Sequence, residues 1–198
     1  MSGGQVGVAL SLPSRPGEGV RSGWSPEAGP ELEVDPVRSD ELHPEESPLP
    51  VGGPARVSAG IAFELSGAVE GPGSGPGDVM AATLGVAPAL MVEVEGGPRR
   101  LVVSPNISRP EGIDLGLVGV LVEHDGVQVA TAAGAGAPLG HPAAAVAGAA
   151  RALAAQGGRL GEGFVVFSGA LAPPVAAGPG SNVRATFAWL GSVGVRLL

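Results

Sequence analysis

The chain lacks cysteine, lysine and tyrosine altogether, and aromatic residues make up only 3% of its 198 residues. The absence of cysteine excludes disulfide bonds, thiolate catalysis and cysteine-ligated metal sites. The absence of lysine excludes Schiff-base chemistry and a lysine general base. With so few aromatic side chains, the hydrophobic core has to be built from valine, leucine and alanine.

Basic charge is also scarce, because 11 arginines face 19 acidic residues and leave a net charge of −8. Binding to nucleic acid requires a basic surface, so we expect no nucleic-acid partner. A membrane-spanning helix needs about 20 apolar residues, and the longest apolar run, 142–155, is shorter and contains Arg151. No basic stretch precedes the apolar residues within 1–12, which argues against a signal peptide. We therefore expect a cytoplasmic protein without a membrane partner.

Glycine and proline are abundant, with 35 and 20 residues, yet 44% of the chain is hydrophobic. This combination predicts a folded, turn-rich domain with an extended segment attached. Residues 13–54 hold nine prolines, nine acidic residues and three arginines, and proline disfavours sheet because it removes a hydrogen-bond donor. We expect a short strand and a flexible, acidic flank over 1–54, acting as a linker or a regulatory arm. A β-rich domain is expected over 55–198.

Hydrophobic periodicity and turn signals predict a series of short strands and two helices. The predicted strands are 5–12, 56–65, 89–95, 100–104, 115–123, 127–132, 164–168, 183–188 and 192–197. The predicted helices are 79–84, capped by Asp78, and 142–155, with Pro142 in its first turn. Asp125 and Gly126 form a two-residue hairpin signal. The fold class is α+β, with a mixed, mainly antiparallel β core and two helices.

Generic catalytic motifs are weak in this sequence. The loop Gly134–Gly140 precedes a helix, but its glycine spacing does not match a dinucleotide-binding loop, so a tight connecting loop is favoured. His43, His124 and His141 have no metal-ligand spacing. His141 is better explained as a helix-entry residue than as a catalytic base. Ser168 lacks the GxSxG pattern of a nucleophile elbow, which argues against a serine hydrolase.

Arg99 and Arg100 offer two interpretations. A guanidinium fork suits a substrate carboxylate, so this pair is a candidate anchor for an acidic ligand. We favour the simpler interpretation of a solvated strand start beside Glu93 and Glu95.

Three blocks in the C-terminal half resemble a known enzyme family. They are Gly140–Pro142, Ser168–Leu171 and Leu190–Val193, and their order and spacing match over about 113–198. The chain thereby resembles the 2-keto-4-pentenoate hydratase/4-oxalocrotonate decarboxylase family of the fumarylacetoacetate hydrolase-like superfamily. The upstream segments VGVALSLPS, RVSAGIAFEL and DVMAATLGVAPAL are similar to further family blocks. The resemblance covers most of the chain outside roughly 13–50 and implies a fold like the C-terminal domain of fumarylacetoacetase.

The resemblance implies the addition or removal of water, or the removal of carbon dioxide, at small 2-hydroxy-dienoates or 2-keto acids. In the family, three carboxylates bind Mg²⁺ or Mn²⁺, and the metal polarises the keto or enol oxygen. The corresponding positions here are Ser58, Gly60 and Met91. Along their strands, Glu64 and Glu93 lie roughly 13 and 7 Å from Gly60 and Met91, too far to replace ligands at about 2.0–2.6 Å.

Two further family features are absent. The family carries an active-site lysine in its early strand, and this chain has none. The family also carries an Asp- and Asn-containing segment after the third ligand, for which the stretch from Glu95 to Gly112 is too short. We therefore expect no metal and no other cofactor, with Mg²⁺ or Mn²⁺ only if the family chemistry persists.

These observations leave the catalytic residues unassigned but point to a set of pocket residues. The candidates are Ser58, Gly60, Met91, Ser168, Gly169 and Leu171. We favour a degenerate, metal-independent family member of specialised metabolism that binds a small keto acid or polyene and promotes its cyclisation or isomerisation. One alternative is a non-catalytic partner subunit, in a homo-oligomer or bound to an active homologue. The other is an ordinary metal-dependent 2-hydroxypenta-2,4-dienoate hydratase or 4-oxalocrotonate decarboxylase.

Overall fold

A computed structural model of the chain describes residues 5–11, 33–45 and 47–198. The described strands are β1 (Gln5–Ser11), β2 (Glu33–Arg38), β3 (Leu42–Pro44), β4 (Ala55–Leu65), β5 (Thr83–Val94), β6 (Arg99–Val103), β7 (Gly119–His124), β8 (Val127–Ala133), β9 (Val165–Phe167), β10 (Val175–Ala177), β11 (Asn182–Phe187) and β12 (Gly191–Arg196). The helices are α1 (Pro76–Ala82) and α2 (Pro142–Ala155).

The strands form two sheets. The larger sheet has the order β2-β1-β9-β4-β5-β6-β3, with β10 pairing with β4 as an additional strand, and the smaller has the order β12-β11-β7-β8. Paired strands are antiparallel except for β1 with β9 and β3 with β6, which are parallel. This arrangement confirms the expected mixed, mainly antiparallel β core with two helices.

The two faces of the larger sheet carry different clusters, because successive side chains of a strand point to opposite faces. On β4, Val57, Ile61, Phe63 and Leu65 belong to a large core that also includes α2 and the inner side of the smaller sheet. The opposite face carries what we call the small apolar cluster, which consists of Ala9, Val37, Ala62, Ala89, Met91, Leu101 and Phe167. The predicted parity of β4 is therefore confirmed, and the second face is the one that bears the candidate site.

Helix α2 has the predicted bounds and is buried along most of its length. Its alanines, such as Ala147 and Ala150, are completely buried in the large core, where small side chains allow close packing. The helix ends before Gly157, which has a φ of +75°, a conformation that favours glycine after a helix. Among the described residues, neither helix combines the length and apolarity that crossing a bilayer requires.

The flank departs from the sequence-based expectation, because its described part contains two strands where sheet was not expected. β2 pairs with β1, and β3 pairs with β6. Both strands lie at the edges of the described sheet, and proline is tolerated at an edge because its missing N–H need not bond a neighbour. Pro36 and Pro44 occupy these strands. The division of the chain at residue 54 stays a prediction.

Local boundaries also differ from the prediction in places. α1 begins at Pro76 rather than at 79, and Asp78 lies inside the helix, where its carboxylate accepts a hydrogen bond from the Gly75 N–H at 2.8 Å. The predicted hairpin between β7 and β8 is confirmed, since Asp125 and Gly126 have φ values of 52° and 78°. These are the left-handed conformations that a two-residue turn of this kind requires.

Candidate ligand site

The six predicted pocket residues lie on β4, on β5 and in the segment that follows β9, and the side chain of Leu171 belongs to the large core on the other face of the sheet. They are Ser58, Gly60, Met91, Ser168, Gly169 and Leu171. Ser58 and Met91 lie directly opposite each other in the antiparallel register of β4 and β5. Both are buried, with 7% and 5% of their surface exposed. The structure therefore places two of the positions that correspond to the family's metal ligands, one on β4 and one on β5, side by side.

Gly60 is enclosed by the end of β9 and the segment that follows it. A Cβ atom at this position would lie 2.3 Å from the carbonyl oxygen of Gly169 and 2.6 Å from the Phe167 ring. Contacts this short are impossible, so position 60 admits no side chain unless the backbone moves. The ring of Phe167 thus occupies the space into which a carboxylate at position 60 would extend. The sequence held one signal for this, because glycine inside a strand often marks a close approach of another segment.

Ser168 uses its hydroxyl to extend the sheet rather than to face a ligand. Its Oγ accepts from the Ile61 N–H at 3.1 Å and donates to the Gly169 carbonyl at 3.3 Å. Its own N–H donates to the Ile61 carbonyl at 2.9 Å, and the Leu171 N–H donates to the Ala59 carbonyl at 2.9 Å. Ser168 is completely buried. Its hydroxyl therefore links β4 to the segment that follows β9.

The family's metal positions do not present a ligand set for Mg²⁺ or Mn²⁺. These cations prefer oxygen ligands such as carboxylates, whereas positions 58, 60 and 91 offer a hydroxyl, no side chain and a soft thioether. The Phe167 ring takes up further room at position 60. In the part of the chain that the structure describes, no group of three His, Cys, Asp or Glu side chains is placed to share a metal ion.

An open pocket lies beside these positions, on the same face of the sheet. Its volume is about 310 Å³, and its lining consists of Leu42, His43, Pro44, Leu101, Val103 and Val165. Leu101 belongs to the small apolar cluster, and Val103 and Val165 pack against that cluster. None of the six predicted residues is in this lining. The pocket adjoins the small apolar cluster through Leu101, which pairs with Met91 in the register of β5 and β6, and its polar group, His43, was not predicted as a site residue.

Arg99 binds the flank rather than an exposed ligand site. Its Nη1 lies 3.2 Å from Asp35 Oδ2, and its Nε donates to Glu41 Oε1 at 3.1 Å. It also donates to the carbonyl of Pro36. Arg99 lies opposite Glu93 in the register of β5 and β6, as the sequence predicts, but its ion-pair partners come from the acidic flank. The arginine fork therefore anchors β2 and the turn before β3 to the start of β6.

The loop that enters α2 has a structural explanation. His141 Nδ1 accepts from the Ala143 N–H at 3.1 Å, which confirms the helix-entry role. A Cβ at Gly136 would lie 2.2 Å from the Leu171 carbonyl oxygen. Gly134 and Gly136 therefore allow close packing, in agreement with the tight loop that the spacing favoured.

Comparison with known sequences identifies two groups of relatives. The 4-oxalocrotonate decarboxylase of Pseudomonas putida is 31% identical over 159 residues, which cover 72% of this chain and 60% of the relative. The 2-keto-4-pentenoate hydratase of Paraburkholderia xenovorans is 43% identical over 84 residues, covering 42% of this chain and 31% of that protein. The chain thus spans 60% or less of these relatives. No family model matches the sequence.

Solved structures extend the likeness to the whole fold. The 4-oxalocrotonate decarboxylase from Pseudomonas putida G7, solved with magnesium and adipate, superposes with a TM-score of 0.83 at 25% identity, covering 99% of this chain and 79% of that one. Fumarylpyruvate hydrolase from Pseudomonas aeruginosa, solved with Mn²⁺ and pyruvate, has a TM-score of 0.68 at 14% identity, covering 96% and 88%. The second likeness shows the fold alone. The sequence blocks and these comparisons together identify the chain as a relative of the 4-oxalocrotonate decarboxylase/2-keto-4-pentenoate hydratase family, with the fumarylacetoacetate hydrolase-like fold.

Proposed function

We propose that this protein binds a small unsaturated molecule without a metal ion, in the open pocket beside the positions that correspond to the family's metal ligands. The observation that carries the proposal is the position of Phe167, whose ring lies where a side chain at Gly60 would extend. Ser58 and Met91 occupy the other two positions at which the family has metal-binding carboxylates. The charged part of the family site is thus replaced by an apolar surface, which suits an apolar ligand.

The lining of the pocket favours a polyene-type ligand over a keto acid. Five of the six lining residues are apolar, and neither an arginine nor a carboxylate is among them. A keto-acid carboxylate bound there without a metal would have no guanidinium partner in the lining, and burying an unpaired charge is costly. A mainly hydrocarbon ligand avoids this cost.

Confinement is the contribution that such a pocket would make to chemistry. Cyclisation and isomerisation are intramolecular, so they require no co-reactant. Holding a flexible chain in a reactive conformation lowers the entropic part of the barrier. We therefore propose binding as the primary activity and shape-promoted cyclisation or isomerisation as its consequence for a suitable polyene.

Calorimetric titration with hexa-2,4-dien-1-ol tests the proposal. Two titrations are compared, one in EDTA and one in excess Mg²⁺, and 2-oxopentanoate serves as the keto-acid probe. We expect the dienol to bind with the same affinity in both buffers and the keto acid to bind more weakly. Absence of dienol binding, or binding that EDTA abolishes, contradicts the proposal. Turnover of 2-hydroxypenta-2,4-dienoate that EDTA abolishes would establish the metal-dependent alternative instead.

The exposed edge strand β8 favours a second candidate function, in which this protein is a partner subunit of an active homologue. This strand lies at the edge of the smaller sheet in the described part of the chain, and it contains no charged residue. Val127 and Val129 are 65% and 47% exposed, and an uncharged, exposed edge strand is suited to pairing with another chain. Sedimentation of this chain mixed with the Pseudomonas putida decarboxylase should give a joint species. Two independent boundaries would exclude this pairing.

A further inference from the structure

The pocket contains one polar side chain that comes from outside the segments that resemble the enzyme family. His43 belongs to β3, in the flank, and pairs with Val102 of β6. It lines the pocket together with apolar residues of β3, β6 and β9. The flank therefore contributes both a wall and the polar group of the pocket.

The hydrogen bonding of His43 determines which ring nitrogen is left as a hydrogen-bond acceptor. Nε2 lies 2.7 Å from the carbonyl oxygen of Ser47. A carbonyl oxygen only accepts hydrogen bonds, so Nε2 must carry the proton. In the neutral ring, Nδ1 then bears the lone pair. Among the described residues, no hydrogen bond engages Nδ1.

The position of His43 is fixed by contacts on both sides of it in the chain. Before it, Glu41 accepts a hydrogen bond from Arg99 at 3.1 Å. After it, the Ser47 carbonyl accepts from the ring itself. The backbone between these points pairs with β6. The imidazole is thus held at the pocket from its backbone and from one ring nitrogen, as a recognition group requires.

We propose that His43 recognises the hydroxyl of a small, uncharged, mainly hydrocarbon ligand, with Nδ1 accepting a hydrogen bond from that hydroxyl. The hydrocarbon part would lie against Leu101, Val103 and Val165. An alcohol or an enol has the required donor. The inference rests on the proposed function and deepens it, because it names the chemical class of ligand and the residue that selects it.

The experiment compares a hydroxyl donor with a matched ether that cannot donate. Wild-type protein is titrated with hexa-2,4-dien-1-ol and with 1-methoxyhexa-2,4-diene. Because a neutral hydrogen bond contributes modestly, we expect the alcohol to bind about two- to tenfold more tightly. The His43→Leu variant should lose this ratio, because it removes the acceptor that distinguishes the two probes. His43→Gln, which retains an acceptor, should restore part of the ratio.

Two controls separate recognition from stability. His124→Leu changes a histidine of β7 that does not line the pocket, and it should leave both affinities unchanged. Val103→Phe should fill the pocket and weaken the binding of alcohol and ether alike. The ¹⁵N resonance of His43 Nδ1 should shift with the alcohol and not with the ether, a readout that a structural role would not produce.

The outcomes distinguish the inference from the proposed function. If neither probe binds the wild-type protein, the proposed function fails. If both bind, but the alcohol-to-ether ratio is the same in wild type and in His43→Leu, only the assignment of His43 is wrong. If His43→Leu does not fold, the inference is tested by the alcohol-to-ether affinity ratio of the wild-type protein and by the ¹⁵N shift. A ratio of one without a shift overturns the inference.

Discussion

The two faces of the larger sheet are formed by the same strands but serve different purposes. On one face, Ile61 and Phe63 of β4 pack in the large core with α2 and the smaller sheet. On the other face, Ser58 and Gly60 of the same strand lie by the small apolar cluster and its pocket. Packing on the first face requires apolar side chains of suitable volume. Ligand binding on the second face depends on which residue occupies each individual position.

This difference explains how a fold can persist while the chemistry on it changes. Substitutions at positions 58, 60 and 91 alter the second face and leave the packing of the first face in place. The fold and the pattern of sequence blocks therefore support kinship with the decarboxylases and hydratases. They do not by themselves determine which chemistry the second face carries out.

The largest expected effects come from two buried phenylalanines on opposite faces. Phe63 is completely buried in the large core, and Phe167 is 2% exposed in the small apolar cluster. We expect Phe63→Ala to cost about 3–5 kcal/mol, and Phe167→Ala to lie at or below the low end of that range, since Phe167 packs in the small apolar cluster rather than in the large core. Urea denaturation of both variants gives the comparison. Equal losses would contradict the proposed difference between the faces.

The next effect concerns the space at Gly60. We expect Gly60→Ala to destabilise the protein by about 2 kcal/mol or more, because the new methyl group meets the Gly169 carbonyl and the Phe167 ring. Gly119→Ala is the matched control, since a Cβ there has no neighbour within 4 Å. Thermal unfolding should show a clear loss for the first variant and almost none for the second. If Gly60→Ala is as stable as wild type, position 60 has room for a metal-binding side chain, which would contradict this account of Gly60.

Ser168 provides a test of a smaller effect. Ser168→Ala leaves the buried Ile61 N–H without its side-chain acceptor, and we expect a cost of about 1–2 kcal/mol. Ser66→Ala removes an exposed hydroxyl bond to Ala82 and should change stability little. Dienol affinity measured on the folded Ser168→Ala variant should match wild type. A selective loss of binding without a loss of stability would assign the hydroxyl to the ligand instead.

The smallest expected effect concerns the flank. Arg99→Ala removes ion pairs with Asp35 and Glu41. Because these pairs are partly exposed, the free energy of unfolding should fall by only about 0–1 kcal/mol. Hydrogen exchange of the Leu42 and His43 backbone amides should nevertheless become faster, because this anchor holds the segment. Arg159→Ala, which removes an exposed pair with Glu70, should change neither quantity. Unchanged exchange in Arg99→Ala would contradict the anchoring role.

Sequence reasoning succeeded where local signals and burial agree. Pro142 and the small residues that follow it define α2, and Asp125-Gly126 defines the hairpin. It was wrong about β2 and β3, because their prolines and acidic residues disfavour strands in isolation. Their edge positions and the Arg99 ion pairs compensate for this. Contacts of this kind, distant in sequence, cannot be inferred from local composition.

The candidate site was only partly predictable, for a related reason. The family positions identified Ser58, Gly60 and Met91, and the structure brings Ser58 and Met91 face to face. The sequence could not show that the Phe167 ring lies over Gly60, because strand periodicity gives the face of a residue but not its neighbours across the sheet. His43 was missed because the flank was expected to contain no sheet.

The central claim is that the second face holds a ligand without a divalent metal ion. Electron paramagnetic resonance of Mn²⁺ titrated into the protein tests this claim directly, because the signal of the free hydrated ion is lost when the ion is bound. We expect the free-ion signal to rise in proportion to added Mn²⁺, with and without hexa-2,4-dien-1-ol. Loss of the signal up to one ion per chain, reversed by Ser58→Ala or Met91→Ala, would contradict the account.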